Sequence, residues 1–239
     1  MTADFSIKEV NHFFNKKRND LLTESNDYFF LSKKVDYIEK IFCESKKVEK
    51  TELERKKDKP LLLVFNMQND FIYGCLRSNT VEKVLSPIKN VVSEAWRRNI
   101  PIVHVCDSHF QGMDPDFEIW GDHAIEGSTG AEIISSLLNI PFEYIIKKQG
   151  YSAFYDTKLD EILRFWNIKH IYMCGVYTEA AILQSTLDAF NRGYKVWLIE
   201  DCITGHKKRG HENAMENMAS YCHAGIIDSI RVSQEFQKI

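Results

Sequence analysis

None of the six cysteines in this 239-residue sequence forms a C-x-x-C pair, which removes the commonest zinc-ribbon and redox motifs. Several lie in apolar runs such as Ile102-Val103-His104-Val105-Cys106, so they are expected to be reduced core residues. No apolar stretch approaches the roughly 20 residues that a membrane-spanning helix needs. Met1-Thr2-Ala3-Asp4-Phe5-Ser6-Ile7-Lys8 has no apolar leader core, and a cytoplasmic location is the expectation. Neither sign of charge dominates: 31 Lys+Arg oppose 34 Asp+Glu, for a formal charge of −3. That balance gives no electrostatic reason to bind nucleic acid or an anionic membrane, and leaves a small-molecule ligand as the expected partner.

Glycine and proline are absent from residues 1–59, which are dense in Lys, Glu, Asn and Ser. Phe29, Phe30, Val35, Ile38 and Ile41 recur there at loose helical spacing, which predicts a helical, charged N-terminal extension of two helices. Pro60 disfavours helix in the residue before it and marks the expected boundary with a second unit, 60–239. With 44% apolar residues the chain has enough hydrophobic material for a sizeable core.

From Pro60 onward short apolar runs alternate with longer amphipathic segments. Leu61–Phe65, Ile102–Cys106, Tyr144–Ile146, His170–Cys174, Lys195–Ile199 and Gly225–Asp228 read as strands buried on both faces. Helices are expected near 80–98, 129–138, 157–166, 178–192 and 207–222. That rhythm predicts a three-layer α/β/α fold around a mainly parallel, Rossmann-like sheet of about six strands.

In such a sheet the ligand lies beyond the carboxyl ends of the strands, at the switch in strand order. The first strand runs into Asn66-Met67-Gln68-Asn69-Asp70-Phe71, the second into Asp107-Ser108-His109, the third into Lys147-Lys148 and the fourth into Gly175-Val176-Tyr177-Thr178-Glu179. Polar groups therefore converge on one edge and predict a ligand cleft. Lys147 and Lys148 point in opposite directions by strand alternation, so only one faces it.

These segments carry a resemblance. Leu62–Phe71 resembles the D-M-Q-N-D-F opening strand of isochorismatases, nicotinamidases and related amidohydrolases. Lys148-Gln149-Gly150-Tyr151-Ser152-Ala153-Phe154 is similar to their K-x-x-Y-S-A-F segment. Gly175–Ala181, continuing through Thr186, Asp188-Ala189 and Gly193-Tyr194, is similar to their G-V-x-T-x-x-C followed by T-x-D-A and G-Y. The chain is identified as a member of the isochorismatase-like cysteine-hydrolase superfamily, with the likeness covering about residues 60–230.

The resemblance implies an Asp, Lys and Cys triad: a thiolate attacks an amide carbonyl, the Asp passes the thiol proton to the leaving amine, and the Lys supports the charges. Backbone N–H groups at Tyr177 and Ala181 would receive the oxyanion, with a cis peptide before Tyr177. Lys148 fills the Lys position, but Asn66 stands where the Asp belongs and Ala181 where the Cys belongs. Isochorismatases also lack that Cys and hydrolyse a vinyl ether, yet that route too needs the acid that Asn66 does not provide. Three readings stay open: a C–N hydrolase scaffold inactive as written, a non-catalytic binding or regulatory protein, and a vinyl ether hydrolase. The Asp-to-Asn and Cys-to-Ala differences are compatible with a natural pseudoenzyme and with a deliberately inert variant.

The candidate substrate contacts are Gln68, Phe71, Trp120, Tyr151, Phe154 and Tyr177. For Gln68, Asn69 and Asp70 the alternative is that they hold the first loop by bonding backbone groups. No cofactor is required by the triad chemistry. Asp107, His109 and His123 resemble the D-x-H plus later His of nicotinamidase metal sites and would suit zinc or another divalent ion. The alternative is that Asp107 and His109 merely end a strand while His123 packs beside Trp120. The resemblance also implies a homo-oligomer, a dimer or tetramer.

Overall fold

The computed structural model describes residues 59–239 apart from Met113 and Glu143. The helices expected within 1–59 lie outside the described residues. Six parallel strands form one sheet: β1 (Lys59–Phe65), β2 (Ile102–Asp107), β3 (Tyr144–Lys148), β4 (Ile168–Val176), β5 (Lys195–Thr204) and β6 (Gly225–Ile227). Their order is β3-β2-β1-β4-β5-β6, so the direction of strand addition reverses between β1 and β4. All six fall where the apolar runs place them, each somewhat longer or shorter than the run.

Alternation along β1 explains the three layers. Leu62 and Val64 join one core with Val84, Ile88, Val91 and Ala95 of α1 (Val81–Arg97) and with Val232 and Phe236 of α5 (Ser229–Phe236). Leu61, Leu63 and Phe65 join the opposite core with Leu159 and Leu163 of α2 (Leu159–Phe165), Ala189 of α3 (Leu183–Asn191) and Met218 of α4 (Lys208–Cys222). Leu61, Leu62 and Leu63 are each 0% exposed, and burial of such a side chain contributes about 1.5–3 kcal/mol. A strand with both faces covered has no polar face to show, which is why the sequence carries no strict alternation there.

Two expectations need correction. Residues 129–138 are not one helix: a 3-10 turn at Thr129–Ala131 and a single helical turn at Ser135–Leu138 flank extended residues. Gly130 packs on the Asp70 carboxylate so closely that a Cβ there would collide with it, and Ile133 bridges Gln68. The last strand stops before Asp228, which instead caps α5 by accepting from the Arg231 N–H at 2.8 Å.

Candidate active site

The carboxyl ends of β1 and β4 meet at the switch point, with Phe65 paired to Gly175. Gly175 has φ +113°, and a Cβ there would collide with the backbone of Phe65, so only glycine lets these strands end side by side. Asn66 follows β1 in the left-handed region at φ 47°, which asparagine tolerates better than most residues. The Val176–Tyr177 peptide is cis, as the resemblance implied. Beyond it a π-helical turn, Thr178–Ile182, carries Ala181 into α3. The Tyr177 hydroxyl donates to the Leu76 carbonyl, and its ring lies 5.8 Å from that of Phe71. Burial pushes the Tyr177 phenol up to about 12.

Asp107, the last residue of β2, is the hub. One carboxylate oxygen pairs with the Lys148 ammonium, whose side chain is 1% exposed. The other accepts from Asn66 Nδ2 at 3.0 Å and lies 3.9 Å from His109 Nε2. Burial pushes the Asp107 carboxyl up, but Lys148 and His109 outweigh it and hold the group below the ordinary carboxylate range. Strand alternation separates the two lysines as expected: Lys147 is exposed and pairs with Glu126 at 2.6 Å, while Lys148 is buried.

The polar residues after β1 hold this hub in place. Gln68 is 0% exposed; its amide accepts from Asp107 N and donates to the Asp107 and Ala131 carbonyls, each at 2.8 Å. Asn69 donates to the Thr129 carbonyl at 2.8 Å, and Asp70 accepts from Ala124 N at 2.8 Å. Together they pin the 107–131 excursion to the end of β1.

Asp107, His109 and His123 bring one donor atom each within 4.8 Å of one another. His109 Nδ1 faces Asp114 at 3.2 Å and His123 Nδ1 faces the Gly121 carbonyl at 2.8 Å, which leaves Nε2 of each ring as the ligand atom. Among the described residues His109 Nε2 is buried without a hydrogen-bond partner. A carboxylate and two imidazoles, each ring fixed by an acceptor behind it, is a donor set that fits a zinc-like ion.

Asn66, Asp107, Asp116, Tyr151, Tyr177 and Ala181 are among the walls of an inner pocket of about 20 Å³. Trp120, also in its wall, donates from Nε1 to the Tyr151 hydroxyl at 3.0 Å. An outer cavity of about 730 Å³ shares Leu76 and Trp120 with it.

The model of the Isochorismatase domain matches residues 60–230. The chain belongs to the isochorismatase family. It is similar to a probable inactive nicotinamidase of Arabidopsis thaliana, 32% identical over 145 residues, 56% of this chain and 74% of that protein. Among solved structures it is similar to N-carbamoylsarcosine amidase from Thermoplasma acidophilum, at 31% identity and TM-score 0.66, covering 72% of this chain and 96% of that one. It is also similar to the pyrazinamidase of Pyrococcus horikoshii in complex with zinc, at 28% identity and TM-score 0.65, covering 71% and 99%.

Within this isochorismatase-family site the structure brings together Asn66, Lys148 and Ala181, and beside them Phe71, Trp120, Tyr151 and Tyr177. Two candidate contacts lie elsewhere. The Gln68 amide is taken up by backbone groups, and Phe154 stacks on Tyr194 with the Arg192 guanidinium 5.0 Å from its ring centroid. Sequence reasoning missed Asp114 and Asp116, which sit on the 107–131 excursion, and the outer-cavity residues His206, Lys207 and Arg209. An Asp on each side of Pro115 was the one available signal for the first two.

Proposed function

We propose that this chain is a small-molecule amide-binding scaffold of the isochorismatase family, built for C–N bond hydrolysis and inert as it stands. The observation that carries this reading is the inner pocket itself, whose wall combines an amide at position 66 with a methyl at 181. In the hydrolytic form, a cysteine thiolate at position 181 forms a C–S bond to the amide carbon. An aspartate at position 66 takes the thiol proton and returns it to the leaving nitrogen, and water later cleaves the thioester. Asn66 cannot exchange a proton near neutral pH, and general acid–base help is worth about 10²–10⁴-fold. Ala181 has no lone pair with which to attack. A zinc-like ion held by Asp107, His109 and His123 would supply Lewis-acid polarisation at this edge of the pocket. The other residues bind, orient and exclude water.

The deciding experiment follows ammonia release from a panel of small amides, including nicotinamide and carbamoyl compounds, by this protein and by Asn66→Asp/Ala181→Cys. Release from the restored protein alone is expected. Release from the unaltered protein would overturn its inertness, and silence from both would transfer the weight to a non-catalytic binding protein. The vinyl ether reading draws on one observation: Asp116 lines the same pocket, and burial pushes its carboxyl up, as a proton donor requires. Turnover of a vinyl ether that Asp116→Asn abolishes would favour it. Among the described residues no helix is long and apolar enough to cross a membrane. A cytoplasmic homo-oligomer completes the proposal; a monomeric mass by light scattering would remove the second half of it.

A further inference from the structure

The inner pocket is small, and the hydrogen-bonding groups of its wall are unbalanced. Its volume of about 20 Å³ accommodates roughly one water-sized group. The side-chain donors around it are already engaged. Asn66 Nδ2 donates to Asp107 at 3.0 Å, Trp120 Nε1 to the Tyr151 hydroxyl at 3.0 Å, the Tyr177 hydroxyl to the Leu76 carbonyl, and His123 Nδ1 faces the Gly121 carbonyl at 2.8 Å. The Tyr151 hydroxyl has Asp116 as the acceptor for its own hydrogen. On the turn that carries Ala181, the Tyr177 carbonyl takes the N–H groups of Ala180 and Ile182 at 3.2 and 3.3 Å.

The acceptors are not matched in the same way. Asn66 is 2% exposed, and its Oδ1 is buried without a hydrogen-bond partner among the described residues. Asp116 forms no ion pair among the described residues. The cationic groups whose charge reaches it are His109, His123 and Lys148, but Lys148 is paired with Asp107, and His109 lies between Asp107 and Asp114. Burial pushes the Asp116 carboxyl up against the pull of His109, as expected of a carboxylate without a cation of its own. A water molecule in this pocket would bring two hydrogens and two lone pairs, and the lone pairs would find no side-chain donor. An ammonium ion is of similar size and brings four hydrogens and no lone pair. Phe71, Trp120 and Tyr177 supply aromatic rings to the wall, and ring faces attract a cation.

We propose that the inner pocket is a binding site for an ammonium ion, which donates to Asn66 Oδ1 and to the Asp116 carboxylate between aromatic walls. Asp107 and His123 also line the pocket, but theirs are the atoms that a divalent ion would take. The assignment stands on the groups of the pocket and not on the C–N hydrolysis proposed above. Such a site makes the chain a binder of free ammonium, a role that needs neither an acid at position 66 nor a nucleophile at position 181.

Calorimetric titration of the full-length protein with ammonium, potassium and tetramethylammonium chlorides tests this, at an ionic strength fixed with sodium chloride and with a chelator present. Ammonium is expected to bind saturably. Potassium should bind at least about tenfold more weakly, because a hard cation of that kind prefers a shell of some six or more oxygens, and tetramethylammonium, which has no N–H and exceeds the pocket, should not bind. Asp116→Asn and Asn66→Gly should each weaken ammonium binding by about tenfold or more, the range of a hydrogen bond to a charged group. Glycine suits the left-handed backbone at position 66, and Asp116 is partly exposed, so both variants should stay folded. No saturable ammonium binding, potassium bound as tightly, or an affinity unchanged in both variants would overturn the assignment. So would tighter binding of formate than of ammonium, which would show that backbone N–H groups rule the pocket. Ammonia release by Asn66→Asp/Ala181→Cys is scored separately: release without ammonium binding by the unaltered protein would keep the hydrolase reading and remove this one, and binding without release would do the reverse.

Discussion

The two sides of Asp107 have kept different things. Towards Ala181, the positions that the family resemblance assigns to a proton carrier and a nucleophile hold an amide and a methyl group, and Asn66 donates to Asp107 at 3.0 Å. Towards His109 and His123, a full donor set survives together with the acceptors that aim it, Asp114 and the Gly121 carbonyl. The difference follows from what each residue does for the fold. An amide at 66 donates to the Asp107 carboxylate, a bond that an ionised carboxylate at 66 could not make, and a methyl at 181, 1% exposed, fills its place in the core. Groups that only react can be exchanged with little structural cost; groups that also hold a loop cannot.

That contrast can be broken or sharpened at four strengths. The largest effect is expected at the strand ends beneath the pocket. Gly175→Ala forces a Cβ into the Phe65 backbone at a left-handed φ and should remove more than about 4 kcal/mol from a urea unfolding curve. A loss below about 1 kcal/mol would show that the β1–β4 junction yields, and that the pocket floor is not fixed by it. Next comes the buried ion pair. Asp107→Ala leaves the Lys148 ammonium without its partner and should cost about 3–5 kcal/mol, whereas Asp107→Leu/Lys148→Met should recover most of that loss. If the double variant is as unstable as the single one, the cost lies in packing and not in an uncompensated charge.

The metal side gives a smaller effect. Zinc at about a hundredfold above its dissociation constant should raise stability by about 2.7 kcal/mol in a thermal or chemical melt. Asp114→Asn, which touches His109 but offers no ligand to the ion, should weaken zinc binding about 10–100-fold in a competition titration. Unchanged affinity in that variant would mean that His109 is oriented by its burial alone.

The strands and their polar ends were legible in the sequence because a buried parallel strand announces itself as a short apolar run and a parallel sheet collects its strand ends on one edge. Alternation within Lys147-Lys148 likewise named the lysine that turns inward. The identities of the altered triad positions were legible only through family resemblance, since nothing about Asn66 or Ala181 taken alone marks a missing acid or nucleophile. The outer cavity was not legible at all: Leu76, Trp120 and Arg209 come from three separate segments, and no periodicity links them. For Gln68 and Phe154 the sequence left the choice between ligand and scaffold open for a related reason, that a polar or aromatic residue beside a cleft reads the same whichever it faces. The missed α5 spans only two turns, with Val232 and Phe236 as its buried contacts, too few to establish a helical period.

The smallest expected effect comes from the far side of the sheet and serves as the control for the buried pair. Glu94 on α1 accepts from Arg98 at 3.0 Å and pairs with Arg97 at 3.2 Å. The bond from Arg98 outweighs burial and holds its carboxyl below the ordinary glutamate range. A depressed carboxyl contributes stability that is fully present above its unfolded pKa, about 4.3, and that is lost as pH falls through the lower folded value. Both arginines are largely solvated, 62% and 44% exposed, so the contribution is expected to be no more than about 1 kcal/mol at neutral pH. Glu94→Gln should therefore differ from the unaltered protein by that amount near neutrality, and the difference should shrink as pH falls through the lowered folded value and the native carboxyl becomes protonated and resembles the amide. A difference that persists unchanged into acid would assign the effect to shape instead of charge. It would also show that the low exposure of Glu94, and not its ion pairs, joins α1 to its neighbours.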